Sequence, residues 1–167
     1  MPHALSALAL VSNVFCGAIF GFFYAWVCST MWGLDAADPV VAIQAMQAMN
    51  ASVRNAIFFP AFFLTPVVLI SAALVGWRLG RHRSARGFIG AAGVYLAGAF
   101  AVTMTVNVPM NEALAATPVP VDGEEALRIW NAYSGPWQNW NIIRTFASGL
   151  ALLMSGYALI HLKEGSK

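Results

Sequence analysis

Apolar residues are collected into four long stretches, at about residues 5–32, 56–77, 88–110 and 141–161. A helix that crosses the hydrocarbon core of a bilayer needs about 20 such residues. Because backbone groups in lipid must satisfy their hydrogen bonds internally, stretches of this length and composition are expected to be helical. The pattern predicts an all-α membrane protein, a four-helix transmembrane bundle, with the whole chain, 1–167, forming one domain.

The connection between the first and second stretches has the pattern of a helix at about 39–53. Asp38 followed by Pro39 is a favourable N-terminal cap with proline at the first helical position. Four polar residues then recur at three- and four-residue steps, opposite a set of apolar ones: Gln44, Gln47, Asn50 and Arg54 against Val41, Met46, Met49 and Val53. This helix either lies on the membrane surface or turns its polar face over the mouth of the bundle.

The connection between the third and fourth stretches begins with a proline-rich, acidic loop at 117–123 and is predicted to become helical at about 124–140. Its aromatic residues Trp130, Tyr133, Trp137 and Trp140 follow helical steps into the fourth stretch. They form either an aromatic belt at the bilayer surface or part of a pocket. Gly135-Pro136 is expected to bend or break this helix.

Composition and charge placement refine this picture. Only 10% of residues are charged, 59% are apolar and the mean hydropathy is +0.67, which excludes an ordinary soluble domain. The net charge of +2 gives no support to nucleic-acid binding. The turn after the second stretch carries four arginines and no acid, and the C-terminal tail adds Lys163 and Lys167 against Glu164. Basic residues near membrane spans stay in the cytoplasm. We therefore predict that both termini are cytoplasmic and that the protein is a multi-pass protein of the bacterial inner membrane.

Metal and disulfide chemistry are not expected. Cys16 and Cys28 are separated by about 18 Å along a helix, which is too far for a disulfide. No cysteine or histidine spacing matches a metal site, and the three histidines lie at or outside the ends of the apolar stretches. The paired small residues Gly17 and Gly21 are compatible with packing inside the bundle and with a homo-oligomer.

Polar side chains are concentrated at the outer ends of the apolar stretches. Arg144 lies about one turn inside the fourth stretch, where an arginine needs an acceptor or solvent. Because the third stretch ends where the fourth begins, these residues are predicted to share one depth and form a pocket: Asn107, Asn111, Glu112, Asn141 and Arg144, with Arg54 nearby. The cluster is either a structural clamp between helices or a binding site in which arginine stabilises an oxyanion.

Three strings identify a family resemblance. They are AIQAMQAMN at 42–50, NVPMN at 107–111 with Leu114 after it, and W-x-x-W-N-x-x-R-T at 137–145. Together they resemble the anthrone-oxygenase-like family of integral membrane proteins, over essentially the whole chain. Some members of that family oxidise anthrones to anthraquinones without a metal or flavin, whereas its bacterial members are mostly described as a domain of unknown function.

The resemblance implies a polar-rimmed pocket acting on anthrone-like or other lipophilic aromatic substrates, with dioxygen and the lipid bilayer as its partners and no cofactor. The positions that match the family strings are Gln44, Gln47, Asn50, Asn107, Asn111, Trp137, Trp140, Asn141 and Arg144. Taken with the polar cluster and the aromatic pattern described above, which add Glu112, Arg54 and Tyr133, they predict the roles of the site residues. Catalysis is assigned to Arg144, Glu112 and Asn141. Substrate binding is assigned to Arg54, Asn50, Gln47, Asn107, Asn111, Trp137, Trp140 and Tyr133. No matching residue is a histidine, so the general base is Glu112, Tyr133 or the acidity of the substrate itself. The alternative is a non-catalytic membrane binding or helper protein.

Overall fold

Long helices make up nearly all of the described chain. A computed structural model describes residues 2–163. We number its helices in chain order: α1 (Pro2–Ala25, continued by Trp26–Thr30 and Met31–Asp35), α2 (Pro39–Ser52), α3 (Phe58–Arg78), α4 (His82–Val94, continued by Tyr95–Ala101, Thr103–Asn107 and Val108–Ala116) and α5 (Gly123–Ile160).

Four of these helices, α1, α3, α4 and α5, are long and apolar enough to cross a membrane, so the protein is a multi-pass membrane protein. The predicted fold class is confirmed, and each predicted span lies within one of them except for the first two residues of the second span and the last residue of the fourth. Glu164 and Lys167, which contributed to the predicted orientation, lie outside the described residues. The cytoplasmic placement of both termini therefore stays a prediction.

The expected break at Gly135-Pro136 is wrong, because α5 continues through both residues as one helix of 38 residues. Proline removes the hydrogen bond to the carbonyl of the residue four positions earlier, which is Ala132. Ala132, Gly135 and Pro136 are all exposed. The carbonyl without a helical donor therefore lies on the accessible side of the helix, and the outer helix and the fourth span form one continuous helix. The expected bend at this position stays a prediction.

Small residues allow α4 and α5 to pack closely along the membrane-spanning half of the bundle. A Cβ atom placed on Gly87 would lie 2.9 Å from the Cβ of Ala158 and 3.3 Å from the carbonyl oxygen of Met154. Gly93 has no such neighbour within 4 Å. The core beside this contact combines many alanines with the large aromatic side chains of Phe23, Phe62, Phe88 and Tyr95. Small residues bring helix backbones together in lipid, where close packing rather than hydrophobic burial drives association.

Helix α2 lies across one end of the bundle, which we call the outer end. The carboxylate of Asp38 accepts hydrogen bonds from the backbone N–H groups of Val40 and Val41, at 2.9 and 3.4 Å, as the cap predicted. The buried face of α2 is formed by Ala42, Ile43, Met46 and Asn50. The buried face therefore takes Met46 from the predicted apolar set and Asn50 from the predicted polar set, while Val41 of the apolar set is exposed. The burial of Asn50 agrees with the alternative in which the polar face turns over the mouth of the bundle. Contacts with α4 and α5 hold this helix over the mouth of the bundle.

Helices α3 and α4 are close at the inner end and separate toward the outer end. They are joined by a short turn in which Gly80 has φ +71°, a conformation that favours glycine. Above this turn Gly76 packs against Ala85. Helix α3 packs along the first part of α4 but makes almost no contact with its outer part, from Thr103 onward. The two helices therefore diverge and leave a cleft on the outer side.

The glycine contact in α4 leads to a stability prediction. Gly87→Ala should lower stability by about 1–3 kcal/mol, because the new methyl group has to displace the backbone of α5. Gly93→Ala, in the same helix with open space around it, should be neutral or stabilising by up to about 1 kcal/mol. Thermal unfolding of both variants in the same detergent measures the difference. Equal melting temperatures would contradict the close packing of α4 on α5.

Candidate functional site

The cleft at the outer end contains a cavity of about 290 Å³. This volume is close to the lower limit for small-molecule sites. Its walls are mainly aromatic and aliphatic, and its polar groups lie at the two ends. The lining residues are Phe22, Phe23, Trp26, Met49, Asn50, Val53, Arg54, Phe58, Phe59, Phe62, Phe63, Thr103, Met104, Val108, Asn111, Glu112, Trp137 and Arg144.

Arg144 forms the deep end of the cavity. Its side chain is only 4% exposed. One terminal nitrogen donates to Oδ1 of Asn141 at 2.8 Å, and the other donates to Oγ1 of Thr103 at 3.3 Å. Its Nε has no hydrogen-bond partner. Within residues 2–163, no carboxylate lies within salt-bridge distance of this guanidinium.

Aromatic rings complete the surroundings of Arg144. The guanidinium carbon lies 4.5 Å from the ring centroid of Phe23 and 5.1 Å from that of Trp137. Ring faces attract a cation, most strongly where water is excluded. Two neutral acceptors and two rings stabilise the guanidinium only in part, since a buried charge without a counter-ion costs several kcal/mol. An anion in the cavity would supply the missing charge.

Asn141 positions this arginine and does not itself line the cavity. It is 1% exposed. Its amide nitrogen donates to the backbone carbonyl of Phe23 in α1 at 3.1 Å, which leaves the oxygen for Arg144. The side chain therefore connects α1 to the guanidinium.

Wide π-helical turns place residues from α1 and α4 in the site. Trp26 begins one such segment, Trp26–Thr30, and Thr103 begins another, Thr103–Asn107. The hydroxyl of Thr103 donates to the carbonyl of Ala99 at 2.7 Å, so its oxygen is oriented to accept from Arg144. Such segments are rare and often occur at functional sites.

Asn111 organises the outer half of the site. Its Oδ1 accepts hydrogen bonds from the hydroxyl of Tyr133 and from Nε1 of Trp137, both at 2.8 Å. The amide of Asn50 donates to the Tyr133 hydroxyl at 3.5 Å. Helices α2, α4 and α5 therefore meet at one amide group, next to the cavity wall.

Arg54 and Glu112 form an ion pair at the mouth, with 3.2 Å between Nη2 and Oε1. The two side chains are 52% and 59% exposed, so solvent screens their attraction. Glu112 is thus paired with Arg54 at the surface and not with Arg144 at the floor.

The predicted common depth of these groups is wrong. Arg144 pairs with Thr103, whereas Tyr133 and Trp137 pair with Asn111, two turns further out along α4. Because α4 and α5 run in opposite directions, their polar side chains pair at successive levels. The site is therefore an elongated cavity with a buried cation at one end and an ion pair at the other.

The structure brings six of the predicted site residues to the cavity surface, namely Arg144, Glu112, Arg54, Asn50, Asn111 and Trp137. The other five do not line it. Asn107 is fully buried and donates to the carbonyl of Trp137 at 3.4 Å. Gln47 donates to the carbonyls of Leu114 and Thr117 and holds the outer loop. Trp140 is 38% exposed, and Tyr133 and Asn141 support the lining from behind.

Sequence reasoning missed the aromatic walls and a second polar cluster. The residues of α1 and α3 that face the cavity, such as Phe22 and Phe58, have no polar atom to mark them. The second cluster is centred on Asp35, at the end of α1. Its carboxylate accepts from Nε1 of Trp130 at 2.9 Å, from Ser134 at 2.6 Å and from Gln138 at 2.8 Å. Buried Trp130 thus belongs to the contact between α1 and α5, not to an aromatic belt.

The hydrogen bonds at Asn111 lead to a second prediction. Asn111→Leu should lower stability by about 2–5 kcal/mol, because two buried donors lose their acceptor and each unsatisfied donor costs about 1–3 kcal/mol. Asn131→Leu, the same substitution at an exposed position of α5, should change it by less than about 0.5 kcal/mol. Chemical or thermal unfolding checks both values. A change at residue 111 as small as that at residue 131 would contradict the organising role of this amide.

Comparison with known proteins places the chain in a family. No curated protein and no solved structure matches it. The model of the anthrone oxygenase family matches residues 48–154, which is more than half of the chain. This range contains the cavity residues Asn50, Arg54, Asn111, Glu112 and Arg144. The chain therefore belongs to the anthrone oxygenase family.

Proposed function

We propose that the protein is a membrane oxygenase that converts anthrone-like, lipophilic aromatic substrates to quinones with dioxygen and without a bound cofactor. One observation carries this proposal: the desolvated guanidinium of Arg144 forms the floor of an aromatic cavity and has only neutral partners within the described chain. Such a group favours a ligand that carries, or develops, a negative oxygen.

The shape and lining of the cavity suit a planar ring system. The rings of Phe22, Phe58 and Phe62 provide apolar faces, and aromatic pairs gain about 0.5–1.5 kcal/mol beyond their buried area. With its oxygen at Arg144, the substrate would extend toward Asn111 and Glu112. The apolar walls also admit dioxygen and exclude water from the reacting carbon.

The proposed reaction is balanced without a further reductant. Removal of a proton from the methylene carbon of an anthrone gives an enolate, whose oxygen is stabilised by Arg144. The enolate transfers an electron to dioxygen, and the resulting radical pair combines to form a carbon–oxygen bond. The resulting peroxide anion takes the proton back from the base, and the hydroperoxide then loses water to give the second carbonyl group. One dioxygen is consumed, with one oxygen atom entering the quinone and the other leaving as water.

Glu112 is the general base that the geometry favours. Its carboxylate lines the cavity, and Arg54 orients it from the other side. The hydroxyl of Tyr133 does not line the cavity and donates its proton to Asn111. An acidic substrate that ionises unaided is the remaining alternative.

The cellular setting is part of the same proposal. The arginine-rich turn between α3 and α4 supports a location in the bacterial inner membrane, with both termini in the cytoplasm and the cavity near the outer leaflet. A lipophilic substrate would be concentrated in that leaflet.

The decisive experiment compares purified protein, Arg144→Met and Arg128→Met in phosphatidylcholine vesicles supplied with anthrone under air. Wild type and Arg128→Met should form quinone faster than empty vesicles, since Arg128 is exposed and paired only with Glu125. In Arg144→Met the rate enhancement over empty vesicles should be smaller by a factor of about 10²–10³, which is the usual effect of removing one oxyanion donor. Equal rates of quinone formation in wild type, both variants and empty vesicles would reject the proposal.

Stability separates this proposal from the alternative, a helper protein in which Arg144 only clamps α4 to α5. Methionine has a similar volume. The substitution removes a buried charge without a counter-ion, which costs several kcal/mol, but leaves Oδ1 of Asn141 without its donor, which costs about 1–3 kcal/mol, so the two effects offset each other. Under our proposal the melting temperature of Arg144→Met stays near that of wild type while activity is lost. If the melting temperature of Arg144→Met falls by many degrees and the remaining activity is proportional to the amount of folded protein, the helper-protein alternative is supported.

Glu112→Gln tests the base. The variant should be slower by about 10²–10⁴ at neutral pH, the usual contribution of general base catalysis. As the pH approaches the pKa of the substrate, the substrate ionises in solution and the two rates should converge. A constant ratio of wild-type to variant rates across the pH range would show that Glu112 does not act as the base.

A further inference from the structure

We propose that the cavity exchanges its ligand with the bilayer through a lateral window between α3 and α4, rather than with water through the outer loops. This inference rests on the proposed function only for the identity of the ligand. The route itself follows from which sides of the cavity are closed and which are exposed.

The window lies where α3 and α4 diverge. Phe59 and Phe63 of α3 form one edge, and Met104 and Val108 of α4 form the other. Phe59, Phe63 and Met104 are 42%, 40% and 42% exposed although they line the cavity. On two membrane-spanning helices, an exposed apolar edge faces lipid tails. The same side chains thus contact both the cavity and the hydrocarbon.

The sides of the cavity that face α1 are closed by packed side chains. On the side of α1 and α5, the lining residues Phe23, Trp137 and Arg144 are almost completely buried. Toward α1 and α3, the rings of Phe22 and Phe58 pack with centroids 4.8 Å apart. A ligand would have to break a packed contact to leave by either side.

The window has an upper and a lower limit. At the top, the ion pair between Arg54 and Glu112 connects the start of α3 to the outer part of α4. At the bottom, Phe100 of α4 stacks on Phe62 at 5.3 Å and meets the edge of Phe63 at 5.7 Å. The opening between them is therefore apolar at its base and sides and charged only at its outer edge.

This geometry restricts the ligand to compounds that cross hydrocarbon as neutral molecules. An ion would lose its hydration on the way, which costs several kcal/mol in lipid. A neutral, weakly acidic ring compound avoids that cost and loses its proton only after it reaches the cavity. Glu112 lies at the window edge and Arg144 at the floor. Glu112 would therefore accept the proton at one end of the cavity, and Arg144 would bind the anionic oxygen at the other.

Cysteine labelling tests the route without any substrate. Thr103→Cys places a thiol at the cavity floor, in a background where Cys16→Ala and Cys28→Ser remove the native thiols. The protein in phosphatidylcholine vesicles is treated with pyrene maleimide, which dissolves in the bilayer, or with a sulfonated methanethiosulfonate, which stays in water. Asn50→Cys, also on the cavity wall, is a second target in case the residue 103 variant does not fold.

Val108→Trp should fill the window and slow the lipid-soluble reagent by about tenfold, equivalent to roughly 1.4 kcal/mol of activation free energy. Val106→Trp, on the same helix and outside the lining, is the matched control and should leave that rate unchanged. The water-soluble reagent should react slowly in every variant except Glu112→Gln, which opens the outer edge.

Three results would overturn the window. The first is that the water-soluble reagent labels the cysteine faster than pyrene maleimide does. The second is that tryptophan at residue 106 slows labelling as much as tryptophan at residue 108. The third is that neither cysteine is labelled in folded protein. Labelling does not depend on quinone formation. A window confirmed in a protein with no oxygenase activity would therefore reject the proposed function alone, and the reverse outcome would reject the window alone.

Discussion

The guanidinium of Arg144 is held inside the bundle by neutral groups, and the outer half of the protein is arranged to hold it there. Asn141 connects it to α1, Thr103 connects it to α4, and the rings of Phe23 and Trp137 cover it. A carboxylate at this position would have neutralised the charge and left a purely structural contact. Its absence within the described chain leaves a positive potential directed at an apolar space, which is the physical basis of the function proposed here.

Each neighbouring element contributes to this arrangement through backbone geometry as well as side chains. The π-helical turns of α1 and α4 direct Trp26 and Thr103 toward the cavity. Helix α2 closes the outer end through Asn50, and Asn111 holds the tyrosine and tryptophan of α5 behind the wall. Among the described residues of the outer half, the buried polar groups are thus satisfied by one another, with the exceptions of Nε of Arg144 and Oδ1 of Asn107.

The sequence was informative where a single physical rule dominates. Length and hydropathy predicted the four spans, and Asp38-Pro39 predicted the start of α2. The concentration of polar residues at one end predicted that Arg144, Asn111 and Glu112 would border one cavity. Their levels could not be predicted, because pairing between antiparallel helices depends on the π-helical turns and on the uninterrupted course of α5 through Pro136. The aromatic walls were equally hidden, since a phenylalanine facing a cavity and one facing lipid look alike in a hydrophobic stretch.

The continuity of α5 also places the outer groups and the buried cation on one helix. Tyr133 and Arg144 lie eleven residues apart on it, so their Cα atoms are separated by about 16 Å along its axis. The side chain of Arg144 spans part of this rise, because its guanidinium carbon lies 5.1 Å from the ring of Trp137, which donates to Asn111. No loop lies between the two levels, so motion of the surface loops does not change the spacing of these residues. Among relatives with an equally continuous helix, differences in ligand size would have to arise from the side chains that fill the space beside it.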